Sequence, residues 1–390
     1  MDPFKDIRPY TDSEVDDVLQ SLVSNSEVLK ALIGLQYPGL ISKFPFIKFF
    51  TKQKLINHVR TIHTIDDYQK IFKNLMEKVV QESISNFTVN GVANLKKDES
   101  YLFISNHRDI SLDAALLALN LYRSGYKTFN IAVGNNLMEE TWVSDLFRLN
   151  KSFIIQRSGG SKKEIYSGLS LASQFIYKTI FQDNDSVWIA QKQGRAKDGI
   201  DETDPTLLKM IHMTERKSQS ITDYFNALKV VPVSISYEFD PNDQLKAKEI
   251  FLSESNSEYI KEKDEDLKSI ANGITGFKGN VTINLAKPMT FVEDDDYSTI
   301  AKKITDSIVT MYKLHGTNYA AYKLLGLVDA HVRVGINGTA TNLAEYPSDE
   351  IDKAKKVLEE SMSQLEKGAC SKFLEQYANP VMQKIKLNKS

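Results

Sequence analysis

Short apolar runs recur between residues 86 and 290, each followed by a helix-patterned stretch, and this alternation limits the architecture more than any other feature of the chain. Tyr101–Ser105, Thr128–Val133, Ser152–Ile155, Ser186–Ala190, Lys229–Tyr237 and Asn280–Leu285 read as strands, bounded by polar or glycine-containing segments. Between them, Leu112–Arg123 reads as a helix that stops at Gly125. Ser161-Lys-Lys-Glu164 is a capping box opening a further helix to about Phe181. Strands separated by helices of about 12 to 20 residues imply a mainly parallel sheet flanked by helices, an α/β fold.

The flanks carry no such alternation. Residues 1–85 read as helical, and so do segments near 298–327 and 348–376. The expected organisation is a helical N-terminal region (1–85), an α/β domain (86–295) and a helical C-terminal region (296–390), with the tail from Lys384 to Ser390 frayed.

Composition narrows the function classes. With 49 Lys and Arg against 51 Asp and Glu, the net charge of -2 lacks the basic surplus of a nucleic-acid binder, and no nucleic-acid partner is expected. The single cysteine, Cys370, excludes a disulfide framework and a Cys-ligated zinc site, and the six histidines are scattered, so no metal site is expected. There is no signal-peptide pattern and no run of 18 apolar residues. A cytoplasmic protein is expected.

Residues 28–65 hold Lys30, Lys43, Lys48, Lys52, Lys54 and Arg60 and no acidic residue. Their centre, Tyr37 to Phe50, interleaves aromatics with lysines. That pattern suits a segment lying in an anionic membrane interface, which would make the protein peripheral on the inner face of the cell membrane. The competing reading is an amphipathic piece packed on the α/β domain.

Four blocks carry chemistry. Ile104-Ser-Asn-His-Arg-Asp-Ile-Ser-Leu-Asp113 lies where a strand gives way to a helix, the place where open α/β sheets bind ligands. A histidine beside a carboxylate is a general-base unit, and either Asp109 or Asp113 can orient His107. Ser111 reads as the helix N-cap. His107-Arg108-Asp109 also spells the start of a kinase catalytic loop, but the required Asn is Ala114, and no Asp-Phe-Gly or Gly-x-Gly-x-x-Gly accompanies it. The second block, Leu149 to Arg157 followed by Ser158-Gly-Gly160, brings Lys151 and Arg157 to the two ends of a strand. The third, Val187 to Gly199, runs a strand into a glycine turn with Lys192, Gly194, Arg195 and Lys197, an arrangement suited to phosphate. The fourth, Val230-Val-Pro-Val-Ser-Ile-Ser-Tyr-Glu238, has Pro232 where a strand start or a bulge is expected.

In this order the four blocks resemble the glycerophospholipid acyltransferase superfamily, which includes glycerol-3-phosphate and lysophosphatidic acid acyltransferases. Its blocks are Asn-His-x4-Asp, an apolar strand ending in Arg, Glu-Gly-x-Arg, and a strand with Val-Pro. The resemblance spans about residues 85 to 290. With Thr317-Asn-Tyr-Ala-Ala-Tyr322 and Tyr377-Ala-Asn-Pro-Val381, the whole chain is similar to a bacterial branch commonly labelled glycerol acyltransferase.

The resemblance implies that His107 is the base and Asp113 its carboxylate. It implies that Arg157, Lys192, Gly194 and Arg195 serve the acceptor phosphate. The implied reaction moves a fatty acyl group from acyl-CoA or an acyl carrier protein to glycerol-3-phosphate or a lysophospholipid, without a cofactor. Acylation of another lyso-lipid, such as an aminolipid, and a non-catalytic lipid-binding role are the alternatives. Two departures stand out. The His-to-Asp gap is five residues rather than four, and Gln193 replaces the third-block Glu, with one residue fewer before Arg195.

Overall fold

The computed structural model describes residues 2–28, 30, 53, 56–57, 59–138, 140–255, 259, 265–327, 333–336, 339–342 and 347–389. The interface reading of residues 28–65 therefore falls largely outside the described residues. In the N-terminal region lie α1 (Asp12–Ser24) and α2 (Ile65–Ser83), and α2 runs directly into strand β1 (Ile84–Asn90). Then follow β2 (Leu102–Ser105), α3 (Leu112–Arg123), β3 (Asn130–Gly134), α4 (Thr141–Leu149), β4 (Ser152–Ile155), α5 (Lys162–Tyr177) and β5 (Val187–Ala190). After these come α6 (Pro205–Ile211), α7 (Ile221–Ala227), β6 (Val230–Tyr237), α8 (Asp243–Glu254), α9 (Glu265–Thr275) and β7 (Gly279–Leu285). The C-terminal part holds α10 (Tyr297–Met311), α11 (Gly316–Leu324), the hairpin β8 (Arg333–Ile336) and β9 (Thr339–Asn342), α12 (Ser348–Met362) and α13 (Lys367–Lys389).

The seven-stranded sheet has the order β1-β7-β6-β2-β5-β3-β4. Every neighbouring pair is parallel except β6 with β7, so β7 and β1 run against the other five strands. The carboxyl ends of β2 to β6 and the amino ends of β7 and β1 consequently share one edge. Pro232 is neither a strand start nor a bulge. It sits inside β6 opposite Ile104, one residue before the β7 ladder begins at Val233. Its carbonyl still accepts from Ala286 (3.0 Å), and its missing N–H falls where β7 has already ended.

Both faces of the central strands are covered, so their residues are apolar without alternation. Leu102, Ile104, Val187 and Ile189 pack with Phe175 and Ile176 of α5, Leu208 of α6 and Ile300 and Ile304 of α10. Phe103, Trp188, Val231, Val233 and Ile235 pack on the other face with Leu116 and Leu117 of α3 and Met76 and Val79 of α2. Truncating a side chain such as Phe103, which is fully buried, would cost about 3–5 kcal/mol. The outer edge of β4 is covered by the segment before α1, with Ile154 N–H donating to the Ile7 carbonyl (2.9 Å).

A separate cluster joins Ala247 of α8, Tyr319 and Ala321 of α11, Leu358 of α12 and Phe373 and Val381 of α13. The helical reading of 298–327 needs a break: α10 ends at Met311, and α11 starts afresh behind His315, whose backbone N–H is capped by Asn318 Oδ1 (2.7 Å). The tail is not frayed from Lys384. Helix α13 continues to Lys389, and Lys384 is buried with its ammonium on the Thr310 carbonyl (2.9 Å).

Candidate active site

The loop between β2 and α3 sits at the shared sheet edge. Asn106, fully buried, extends the sheet with its side chain: its amide accepts from Ile235 N–H (2.8 Å) and donates to the Ile235 carbonyl (2.9 Å). That anchors the backbone one residue before His107. The His107 ring stands edge-on to Trp188, with centroids 5.9 Å apart, and its Nδ1 lies 2.8 Å from Asp113 Oδ2. Asp113 Oδ2 also accepts from the N–H groups of Arg108 (2.6 Å) and Asp109 (3.0 Å), and Oδ1 accepts from the Tyr237 hydroxyl (2.8 Å). Burial alone would lift the Asp113 pKa. The bond from His107 and those from the two backbone N–H groups outweigh it and hold the carboxylate below its usual range. An ionised partner only accepts, so Nδ1 carries the proton and Nε2 is left as the basic nitrogen. The His107 side chain is 15% exposed.

Of the two carboxylates the sequence leaves open, Asp113 orients the imidazole. Asp109 instead caps α3, accepting from Ser111 and Leu112 N–H (both 2.9 Å), while Ser111 occupies the cap position without a side-chain bond. Asp109 is buried beside Asp113, and burial followed by that neighbouring charge pushes its pKa up. Gly273 of α9 has to be glycine, because a Cβ there would run into Asp109 Oδ2.

Arg108 joins this loop to the turn after β5. Its guanidinium is buried, pairs with Asp201 (2.6 Å), donates to the carbonyls of Ala196 (3.1 Å) and Gly199 (3.2 Å) and lies over the Tyr312 ring. Ala196 N–H returns a bond to the His107 carbonyl (2.8 Å). Deleting one partner of such a buried pair leaves an uncompensated charge and would cost about 3–5 kcal/mol. Lys246 of α8 adds a bond to the Arg108 carbonyl (2.7 Å) and an ion pair with Asp240.

The turn itself is open. Gln193 and Gly194 are exposed, and Gly194 has φ +76, which a side chain would resist. Lys192 donates to the Ile200 carbonyl (3.0 Å) and Arg195 to Ser269 Oγ (3.2 Å), and neither has a carboxylate within ion-pair distance among the described residues. Lys197 does have one, in Glu249. Arg157 follows β4 with its guanidinium near Gly134 at the end of β3. It has no described hydrogen-bond partner there, and burial draws its pKa down. Lys151 lies at the opposite sheet edge on Thr128 and Asp185 and takes no part. Shape alone would point elsewhere, because a polar cleft lined by Lys97, Asp98, Tyr101, Lys127, Asp185 and Ser186 also lies at that opposite edge. Among the described residues no group of His, Cys, Asp and Glu is arranged to hold a metal, and no helix is long and apolar enough to cross a membrane.

Residues 86–198 match the family model described as Acyltransferase. The match covers less than a third of the chain. The matched segment contains the His107–Asp113 pair, Arg157 and the Lys192–Arg195 turn. Among solved structures, the chain is similar to the 1-acyl-sn-glycerophosphate (LPA) acyltransferase PlsC from Thermotoga maritima, at 13% identity over 75% of this chain and 91% of that one, with a TM-score of 0.40. No curated protein matches the chain.

Several residues that shape the site escaped the sequence reading. Asn106 stood in the motif without a role, Arg108 was visible only as part of a kinase look-alike, and Tyr237 stood in the fourth block without one. Asp201, Asp240 and Lys246 lie outside the matched segment and carried no motif at all.

Proposed function

We propose that the protein is an O-acyltransferase that moves a fatty acyl group from an acyl thioester, acyl-CoA or acyl carrier protein, to a hydroxyl of glycerol-3-phosphate or of a lysophospholipid such as lysophosphatidic acid. The observation that carries this reading is the His107–Asp113 pair inside the matched segment, bonded through the His107 carbonyl to a basic glycine turn. The acceptor oxygen attacks the thioester carbonyl as its proton passes to His107 Nε2. The C–S bond then breaks, sulfur keeps the electron pair, and the imidazolium returns the proton to the thiolate. The products are an ester and a free thiol, and the sequence of bonds balances without a redox partner.

Arg157, Lys192 and Arg195 supply cations for the acceptor phosphate. Holding that group sets the hydroxyl against the thioester, which is much of the catalysis in a two-substrate transfer. In this reading residues 28–65 bring the protein to an anionic membrane surface, where its lipid acceptor resides.

The test is thiol release and lipid product measured with acyl-CoA and with acyl carrier protein, against glycerol-3-phosphate, lysophosphatidic acid and a lyso-aminolipid. Release that needs a phosphorylated acceptor and disappears in His107→Ala supports the reading. Release with the aminolipid alone, or no acceptor-dependent release, overturns it. Sedimentation with anionic vesicles tests the membrane arm: replacing Lys43, Lys48, Lys52 and Lys54 by Gln should reduce binding, and unchanged binding would remove that part.

A further inference from the structure

The reversal of β7 against β6 fixes the last residue of β6. Tyr237 pairs with Val281 in the antiparallel ladder, and period-two alternation puts it on the stripe of Val231, Val233 and Ile235. That stripe packs against α3, so Tyr237 is the member of it that reaches the helix's first turn, where Asp113 lies. Its hydroxyl is the described partner of Asp113 Oδ1, at 2.8 Å, while Oδ2 takes His107 and two backbone N–H groups.

We propose that Tyr237 is a positioning residue for the His107–Asp113 pair: its donated hydroxyl pins the plane of the carboxylate and draws part of its charge away from the imidazole. The proposal rests on the reading of His107 as the base. Burial, then the Asp113 charge, hold the Tyr237 hydroxyl well above its ordinary 10, so it stays a donor wherever the site works. Other charges surround the pair in two tiers. Arg108 and Asp109 act on Asp113, and Asp109 and Asp240 on Tyr237, while Asp201, Lys246, Arg195 and Lys278 stand behind these, acting on Arg108, Asp109, Asp240 or one another. Tyr237→Phe alters none of these. It removes one donor from one carboxylate oxygen, which concentrates negative charge on Asp113 and favours the imidazolium.

The experiment follows the ring nitrogens of ¹⁵N-histidine-labelled protein by NMR through a pH titration, with His107 identified by the signals lost in His107→Gln. In Tyr237→Phe the His107 midpoint should rise by about half a unit or more. The acid limb of kcat/KM should rise with it, and kcat should fall about tenfold, the size of one hydrogen bond to a charged group. Incorporating 3-fluorotyrosine at position 237 keeps the bond and strengthens the donor, so the midpoint should move down. This second variant keeps the test open if Tyr237→Phe folds poorly. A midpoint that stays put in both variants overturns the positioning role. A midpoint that moves in a protein without acyl transfer leaves that role standing and sinks the acyltransferase reading instead.

Discussion

The loop from Asn106 to Asp113 and the turn from Gln191 to Gly199 meet at one sheet edge and are bonded to each other, yet they are furnished in opposite ways. In the loop, Asn106, Arg108, Asp109 and Asp113 are buried and both oxygens of Asp113 are bonded. In the turn, Gln193 and Gly194 are exposed, and among the described residues Lys192 and Arg195 lean on neutral oxygens. A base has to hold its tautomer and direction between turnovers, which favours a buried carboxylate with both oxygens bonded. A phosphate site has to release what it binds, and its cations are most useful when no internal carboxylate has claimed them. Lys197, two residues past Arg195, shows the contrast, because Glu249 has claimed it.

The largest effect that can break this contrast is His107→Ala. Loss of the base should lower kcat by about 10² to 10⁴ in a protein that still folds and melts cooperatively. More than half of wild-type kcat would detach the rigid loop from the chemistry.

Asp113→Asn comes next, at about 10² or more in kcat, because an amide facing Nδ1 permits the wrong tautomer. Asp109→Asn should cost less activity, since its amide oxygen still caps α3. The two also differ in acid. The folded pKa of Asp113 lies below the ordinary 3.8, so its contribution to stability is present above that value and is lost as pH falls through the folded pKa. For Asp109 the folded pKa is raised, so its contribution is fullest below 3.8 and declines as pH rises through the folded pKa. Melting curves across acid pH should therefore show Asp113→Asn losing most against wild type at neutral pH, with Asp109→Asn losing least there. The reverse order would exchange their places.

Arg195→Ala tests the open side. Removing one charge-assisted bond to phosphate should cost about 1.5–3 kcal/mol, on the order of 10- to 100-fold in acceptor KM, with little change for the thioester. A rise confined to the thioester would move the turn to the other substrate. The smallest effect is expected of Gly194→Ala. A Cβ there meets nothing, so only the left-handed backbone resists, by roughly 1–2 kcal/mol. Acceptor KM should rise a few-fold, and an unmoved KM would mean the turn's shape is irrelevant to binding.

Local signals in the sequence located the parts of this site far better than their arrangement. The bounds of α3 and β4 could be read to the residue, because Gly125 stops the helix and Lys151 and Gln156 flank the short run Ser-Phe-Ile-Ile. Strand β1 could not be read, because it is a polar edge strand with one buried residue that leaves α2 without a turn. The reversal of β7 was equally hidden, since its alternation of buried and half-buried residues looks the same in either direction. His107 and Asp113 were legible from the motif, but the choice between Asp113 and Asp109 depended on backbone path within a single turn. Arg108 was illegible as a buried residue because its partner, Asp201, is 93 positions away.

The turn that holds Lys192 and Arg195 is completed from far along the chain. Gln383 of α13 bonds both the N–H and the carbonyl of Asp201 (both 2.8 Å), and Asn379 bonds the Asp198 carbonyl (2.8 Å). These partners are made 181 and 182 residues later. At a ribosome's pace of about 5–20 residues per second, the turn waits roughly 10 to 40 s after its own synthesis for the side chains that close it. During that interval the backbone N–H and carbonyl of Asp201 and the Asp198 carbonyl lack the partners that α13 supplies, while Arg108 is already available to the Asp201 carboxylate. The backbone of this turn is thus completed by α13, long after the strand that leads into it has been made.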